Sequence, residues 1–173
     1  WDHTGALDEI LKINNHLTVY GCSGFSRAFK KIVKGSGAYY LEARRGAKLQ
    51  GSIFTTGQMI GSYKKKPLPE QALILKTRRG ISVVAGCAHP GIERVVQHAT
   101  KLFPREKVYA VIGGFHLKQS SRAQIKRKAD RLKEFNPARI APLHCSGQEA
   151  QALMHEYFPR AFRILQAGSS IIV

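Results

Sequence analysis

Three times along this chain an apolar run closes on small residues or proline, presents a histidine, and gives way to a helical pattern. The stretches are ISVVAGCAHPG (81–91), VYAVIGGFHL (108–117) and RIAPLHCSG (139–147). Short aliphatic, β-branched runs read as strands, here 81–86, 108–114 and 139–143. The segments behind them read as helices. GIERVVQHATKLF sets Ile92, Val95, Val96, Ala99 and Leu102 on one face. In SSRAQIKRKADRLKEF, Ser121 with Gln124 forms a capping box, and Ile125, Ala129 and Leu132 make an inner stripe. QEAQALMHEYF (148–158) is a third helix. Alternating strands and helices predict an α/β or layered α/β/α fold with a helix-covered sheet. QALILKT (71–77) joins the strand at 81–86 through the hairpin signal Arg78-Arg79-Gly80, and AFRIL and SSIIV are expected to finish the sheet.

The first half is less regular. A short helix is expected over 7–13, a strand over 16–21, and a helix over 23–33 with Ser23 as its N-cap. Short strands fall at 39–41 and 53–55 within a glycine-rich region. SYKKKPLPEQ (62–71), with two prolines and three lysines, is expected to be an exposed loop, either a lid over a site or a plain connector. No internal repeat or linker divides the chain, so a single domain spanning 1–173 is expected.

The histidines carry the chemistry. His89, His116 and His144 each follow a strand and precede a helix, and loops at one edge of a sheet are where such folds place binding groups. A neutral imidazole offers a metal a lone pair with no ionisation cost. One loop histidine is ordinarily just a polar residue; three at equivalent strand ends, with Asp2-His3 besides, point to a metal site. His16, His98 and His155 fall within a strand or on helices and read as surface or satisfied core residues. Of the aspartates, Asp130 belongs to a basic helix and Asp8 suits a first helical turn, which leaves Asp2 in a ligand-like setting. A histidine-dominated set with one carboxylate and Cys87 suits zinc, iron or manganese rather than calcium.

Bulk composition narrows the partners. Hydrophobic content of 43% and charged content of 23% fit an ordinary globular core. Three widely spaced cysteines argue against a disulfide scaffold. The absence of a bilayer-length apolar run makes a cytoplasmic protein, with no membrane partner, the expectation. The net charge of +17 favours anions: a phosphorylated small molecule, nucleic acid or an anionic surface.

WDHTGAL resembles the second half of H-x-H-x-D-H, the hallmark of the metallo-beta-lactamase superfamily, with Asp2 and His3 as its D-H pair. QALILKTRRGISVVAGCAHPGIERVV, YAVIGGFHL and IAPLHCSG are similar to a narrower subgroup of metal-dependent hydrolases. That subgroup includes the archaeal dihydropterin–ribofuranosylaminobenzene phosphate synthase. Alanine before His89 and serine after Cys145 are mild departures from its pattern.

The resemblance implies an αββα sandwich, incomplete here because the leading strands and first two histidines of the hallmark are missing. It implies that Asp2, His3 and His144 hold one divalent ion, zinc above iron or manganese. His89 is then the best candidate for a second ion's ligand, with Cys87 or His89 standing where the superfamily has a bridging aspartate. His116 is either a ligand or, as favoured, a contact to substrate phosphate, and Asp2 and His116 are the catalytic candidates. Arg78, Arg79 and Lys118 are the expected anion contacts at the motif-bearing edge. The implied reaction is hydrolysis of an anionic, phosphorylated substrate by metal-activated hydroxide, or pterin transfer releasing diphosphate. Without the first histidines the chain is expected to be weak or inactive. Its open sheet edge is expected to favour a homodimer. The alternative is a nucleic-acid-binding or nuclease-like protein using the positive charge, although no recognised binding motif accompanies it.

Overall fold

The chain is described by a computed structural model over residues 3–173. It begins with α1 (Leu7–Ile13), β1 (Thr18–Gly21), α2 (Arg27–Gly35) and β2 (Tyr39–Glu42). Short strands follow: β3 (Ala47–Gln50), β4 (Ile53–Thr55), β5 (Met59–Tyr63), β6 (Lys66–Glu70), β7 (Ala72–Thr77) and β8 (Gly80–Ala85). The last part alternates α3 (Ile92–Leu102), β9 (Val108–Gly114), α4 (Arg122–Lys133), β10 (Arg139–Leu143), a 3-10 turn (His144–Ser146) and α5 (Gln148–Tyr157).

The apolar strands form one mixed sheet in the order β10-β9-β8-β7-β4-β3, in which β8, β9 and β10 run parallel. The two parallel crossovers pass through α3 and α4, α5 follows β10, and all three helices pack on the sheet in the main core. Ile74, Ile81, Val83, Val111 and Ile140 meet Ile92, Val95, Val96, Ile125, Ala129, Leu132, Leu153 and Met154 in the main core. Burial of each large aliphatic side chain there contributes about 1.5–3 kcal/mol. Leu102, expected on that inner face, is 38% exposed at the last turn of α3. The capping box at the start of α4 is present in both directions, Ser121 Oγ accepting from Gln124 N and Gln124 Oε1 accepting from Ser121 N.

The other sheet face bears Ala110, Ile112 and Ala141, covered by Leu165, Ile171 and Val173. The expected final strands are therefore corrected. Only an isolated bridge between Ile140 and Phe162 forms, and the terminal aliphatics lie flat on the sheet instead of pairing at its edge. A smaller unit pairs β1 with β2 in parallel and packs them on α1 and α2 through Leu11, Val33 and Ala38.

Two further expectations change. Ser26, not Ser23, caps α2 by accepting from Phe29 N, because Ser23 Oγ is engaged by Gln58 Oε1. The segment expected as a loop is a hairpin, with β5 and β6 paired antiparallel. Lys64 and Lys65 at its tip both have left-handed φ, 49° and 60°, as a two-residue primed turn requires. Since Tyr63 and Lys66 flank that turn as a hydrogen-bonded pair, Pro67 opposite Ser62 and Pro69 opposite Ile60 occupy non-hydrogen-bonded positions. The N–H each proline lacks would point away from β5, so a proline-bearing strand survives there.

Candidate metal centre

Because Leu143 pairs with Gly114 and Ala85 with Gly113, the three parallel strands end level, and their following turns share one edge. Cys87, His116 and His144 emerge there. His3, just ahead of α1, reaches the same place: its Nε2 stands 2.9 Å from Cys87 Sγ, and its ring meets that of His144 edge-on at 5.0 Å. One ligand atom from each of His3, Cys87 and His144 lies within 4.8 Å of the other two. Cys87 is buried while both imidazoles are exposed, so the group opens to solvent on its histidine side. Two imidazoles and a thiol fit a borderline-soft divalent ion such as zinc far better than calcium. Asp2, expected as a ligand and catalytic group, lies outside the described residues.

The backbone is strained to build this edge. Ala88, His116 and His144 have φ of 53°, 50° and 50°, left-handed conformations that a residue with a Cβ adopts at roughly 1–2 kcal/mol each. Cross-links hold them. Leu117 N and Lys118 N both donate to Cys145 O, at 3.2 and 3.1 Å. Phe115 N donates to Ser146 Oγ, which in turn donates to Leu143 O. The turn after β9 is thereby strapped to the turn after β10. Gly114 permits the approach: a Cβ there would stand 2.1 Å from Gly86 O and 2.8 Å from Cys145 Sγ.

His89 is placed differently from the other strand-end histidines. Glu70, at the end of β6, accepts from the His89 backbone N–H at 2.7 Å, and its other oxygen lies 2.8 Å from His89 Nδ1. The His89 ring lies 4.1 Å from that of His116, and Tyr63 meets both rings edge-on. His89 is thus the middle of a Glu70–His89–His116 row rather than a member of the His3–Cys87–His144 group. Burial pushes the His116 imidazole pKa down, helped by neighbouring His89 and opposed by Glu70.

Lys118 is exposed beside the strapped turns. Arg78 and Arg79, expected at the same edge, are not there. They form the β7–β8 turn at the start of β8, whereas Cys87 and the His3–Cys87–His144 group follow its end. Arg79 Nη1 donates to Tyr109 OH at 2.8 Å, at the beginning of β9. At the hairpin tip Lys64 lies over the Tyr63 ring, its Nζ 5.4 Å from the centroid, and that ring is the one that meets His89 and His116. Of the remaining histidines, His98 Nε2 is 3.1 Å from Thr56 O, His155 packs against Phe162, and His16 is exposed. Cys22 is fully buried, and desolvation, with Glu70's charge second, raises its thiol to about 11; it is an inert core thiol.

Glu70, Tyr63 and Cys145 escaped sequence reasoning. All three depend on long-range pairing: the hairpin swings Glu70 and Tyr63 to His89, and the strapped turns bring Cys145 to Gly114.

No family model matches the chain. The fold is that of the metal-dependent hydrolases of the beta-lactamase superfamily. Its structure superposes on one of these, Tm1679, with a TM-score of 0.66 at 22% identity, covering 84% of this chain and 62% of that one. An isothiocyanate hydrolase from Delia radicum gut bacteria matches with a TM-score of 0.55 at 12% identity, over 100% of this chain and 72% of the other. In sequence the chain is similar to 7,8-dihydropterin-6-methyl-4-(beta-D-ribofuranosyl)-aminobenzene-5'-phosphate synthase of Methanocaldococcus jannaschii. The two are 28% identical over 210 aligned positions, which take in 99% of this chain and 71% of the synthase.

Proposed function

We propose that this chain carries the metal centre of a hydrolase acting on an anionic, phosphorylated substrate. The observation that carries this reading is the convergence of His3, Cys87 and His144, from three separate parts of the sequence, at the ends of the parallel strands. Zinc suits that donor set best, with iron and manganese as alternatives. A divalent ion held there supplies an acidified water and a Lewis acid for a phosphoryl or carbonyl oxygen.

The chain's own groups have separable tasks. Glu70 fixes the His89 ring through Nδ1, and His89 stands against His116 with the two rings tilted by 44° at 4.1 Å. His116, exposed at this edge with its pKa lowered chiefly by desolvation, is suited to donate a hydrogen bond to a bound phosphate. Lys118 in the strapped turn, with Lys64 over the Tyr63 ring, supplies positive charge on this side of a molecule of net charge +17. The name of the similar archaeal synthase includes a ribofuranosyl 5'-phosphate, a ligand class such lysines suit.

Calorimetric titration of the zinc-loaded chain with phenyl phosphate, paired with a p-nitrophenyl phosphate assay, tests this. Binding is expected only with the ion present, and to weaken about twofold to fivefold in Lys118→Ala, as the loss of an exposed ion pair worth about 0.5–1 kcal/mol predicts. Slow, chelator-sensitive release of nitrophenol is expected to accompany it. Equal binding by the chelated chain, or turnover that persists in His144→Ala, contradicts the proposal.

A further inference from the structure

A cavity of about 290 Å³ lies between α5 and the chain that follows it, and none of His3, Cys87, His89, His116, His144 and Cys145 lines it. A proline opens it. Along the outer edge of β10, Ile140 N donates to Ala161 O and Arg163 N donates to Ile140 O, both at 2.9 Å, so residues 161–163 begin a parallel strand. The next link of that ladder needs an N–H at position 142 to reach Arg163 O, and Pro142 has none. Pro142 O, the acceptor for the link after that, is taken by Gln151 Nε2 at 3.0 Å. Pairing stops and a cleft is left at the edge. One wall is Gln148, Gln151, Ala152 and His155, at the spacing of a single helix face; the other is the segment 162–165. We infer that this cleft is a binding site for a small carboxylic acid with a flat apolar body, an aryl carboxylate.

Arg163 supplies the anion contact. It is half-buried, and its Nη1 donates to two backbone carbonyls, Arg160 O at 3.0 Å and Phe162 O at 2.6 Å. Those bonds fix the guanidinium plane and use one end of it. The Nε–Nη2 edge remains, and its parallel N–H groups match the two oxygens of a carboxylate. Among the described residues no acidic side chain lines the cleft to compete for that edge. Glu156 of α5 turns to Arg122 instead, 3.5 Å away. The body of the ligand is set by the remaining walls. The His155 and Phe162 rings lie against each other, centroids 5.1 Å apart and planes tilted by 34°, and Ala152, Pro142 and Leu165 add no polar side chain. A lone phosphate would use the single guanidinium and leave the apolar walls wet, whereas a carboxylate on a ring uses both. The cavity is at the small end of ligand pockets, which run to about 300–1,000 Å³, and suits one ring rather than a nucleotide or peptide.

The site is independent of the proposed metal centre, so the metal-free, reduced chain tests it. Benzoate, its neutral isostere benzamide, and acetate are each titrated into isotope-labelled chain while backbone amide NMR shifts are followed. Benzoate is expected to bind saturably, with shifts concentrated at Gln151, Ala152 and Arg163. Benzamide lacks the charge and acetate lacks the ring, and each should bind at least about tenfold more weakly. Arg163→Gln should bring benzoate down to the level of benzamide. Ala152→Phe fills the cleft from an exposed helix position, leaves the net charge unchanged, and should abolish the shifts. Should Arg163→Gln loosen the terminal segment, Ala152→Phe still decides, because Arg163 keeps its two carbonyl bonds there. Benzoate shifts that survive Ala152→Phe, equal affinity for benzoate and benzamide, or no benzoate shift at millimolar concentration would each overturn the inference.

Discussion

Gly114 is the residue on which the histidine edge most depends. Any side chain there meets the Gly86 carbonyl at 2.1 Å and the Cys145 sulfur at 2.8 Å, and the first of these is backbone that cannot rotate away. Gly114→Ala is therefore expected to destabilise the fold by about 1–3 kcal/mol, as overpacking of a tight contact does. It should also weaken zinc binding, because the turns after β8 and β10 must separate. Gly35→Ala is the matched control: a Cβ there meets nothing within 4 Å at the end of α2, and the added helix propensity should leave stability equal or slightly higher. Thermal unfolding with and without zinc compares them. Equal melting temperatures for the two variants would contradict the packing described here.

At the scale of elements, the strands and helices most legible in the sequence were those with local signals. The runs at 108–114 and 139–143 are strands with those bounds, and the helix at 7–13 likewise. Their apolar residues, flanking glycines and caps lie within one window. The hairpin of β5 and β6 was illegible because prolines and lysines hide its alternation. Its stability comes from a turn of two left-handed lysines and from non-bonded positions that tolerate proline. Lysine is a poor choice at both turn positions, whereas Asn-Gly adopts a primed turn readily. The double substitution Lys64→Asn, Lys65→Gly should raise stability by about 0.5–1 kcal/mol, the relief of left-handed strain exceeding the entropy cost of the new glycine, read from the urea midpoint. A loss of stability would show that this segment is not a hairpin with its tip at 64–65.

Across the whole molecule, the sequence showed that three strand-end histidines should share an edge, since parallel strands separated by helices must end on the same side. It did not show which of them face a common ion. His89 is drawn off by Glu70, and Cys145 is drawn in by the straps between turns; both outcomes follow from pairings distant in sequence. Arg78 and Arg79 were misplaced for the converse reason: a hairpin before β8 lies a full strand length from the motif behind it. The charge of +17 belongs to the whole chain, and Lys118 is the lysine that the strapped turns hold beside Cys145, through its backbone N–H to Cys145 O.

One ion shared by His3, Cys87 and His144 underlies the proposed function. X-ray absorption at the zinc edge, recorded on the Cys145→Ala chain with one equivalent of zinc, reads that directly. It should show one sulfur at about 2.3 Å with imidazole nitrogens at about 2.0 Å, and the sulfur should vanish in the added Cys87→Ser substitution. A shell of nitrogen and oxygen alone in Cys145→Ala, unchanged when Cys87 is replaced, would contradict it.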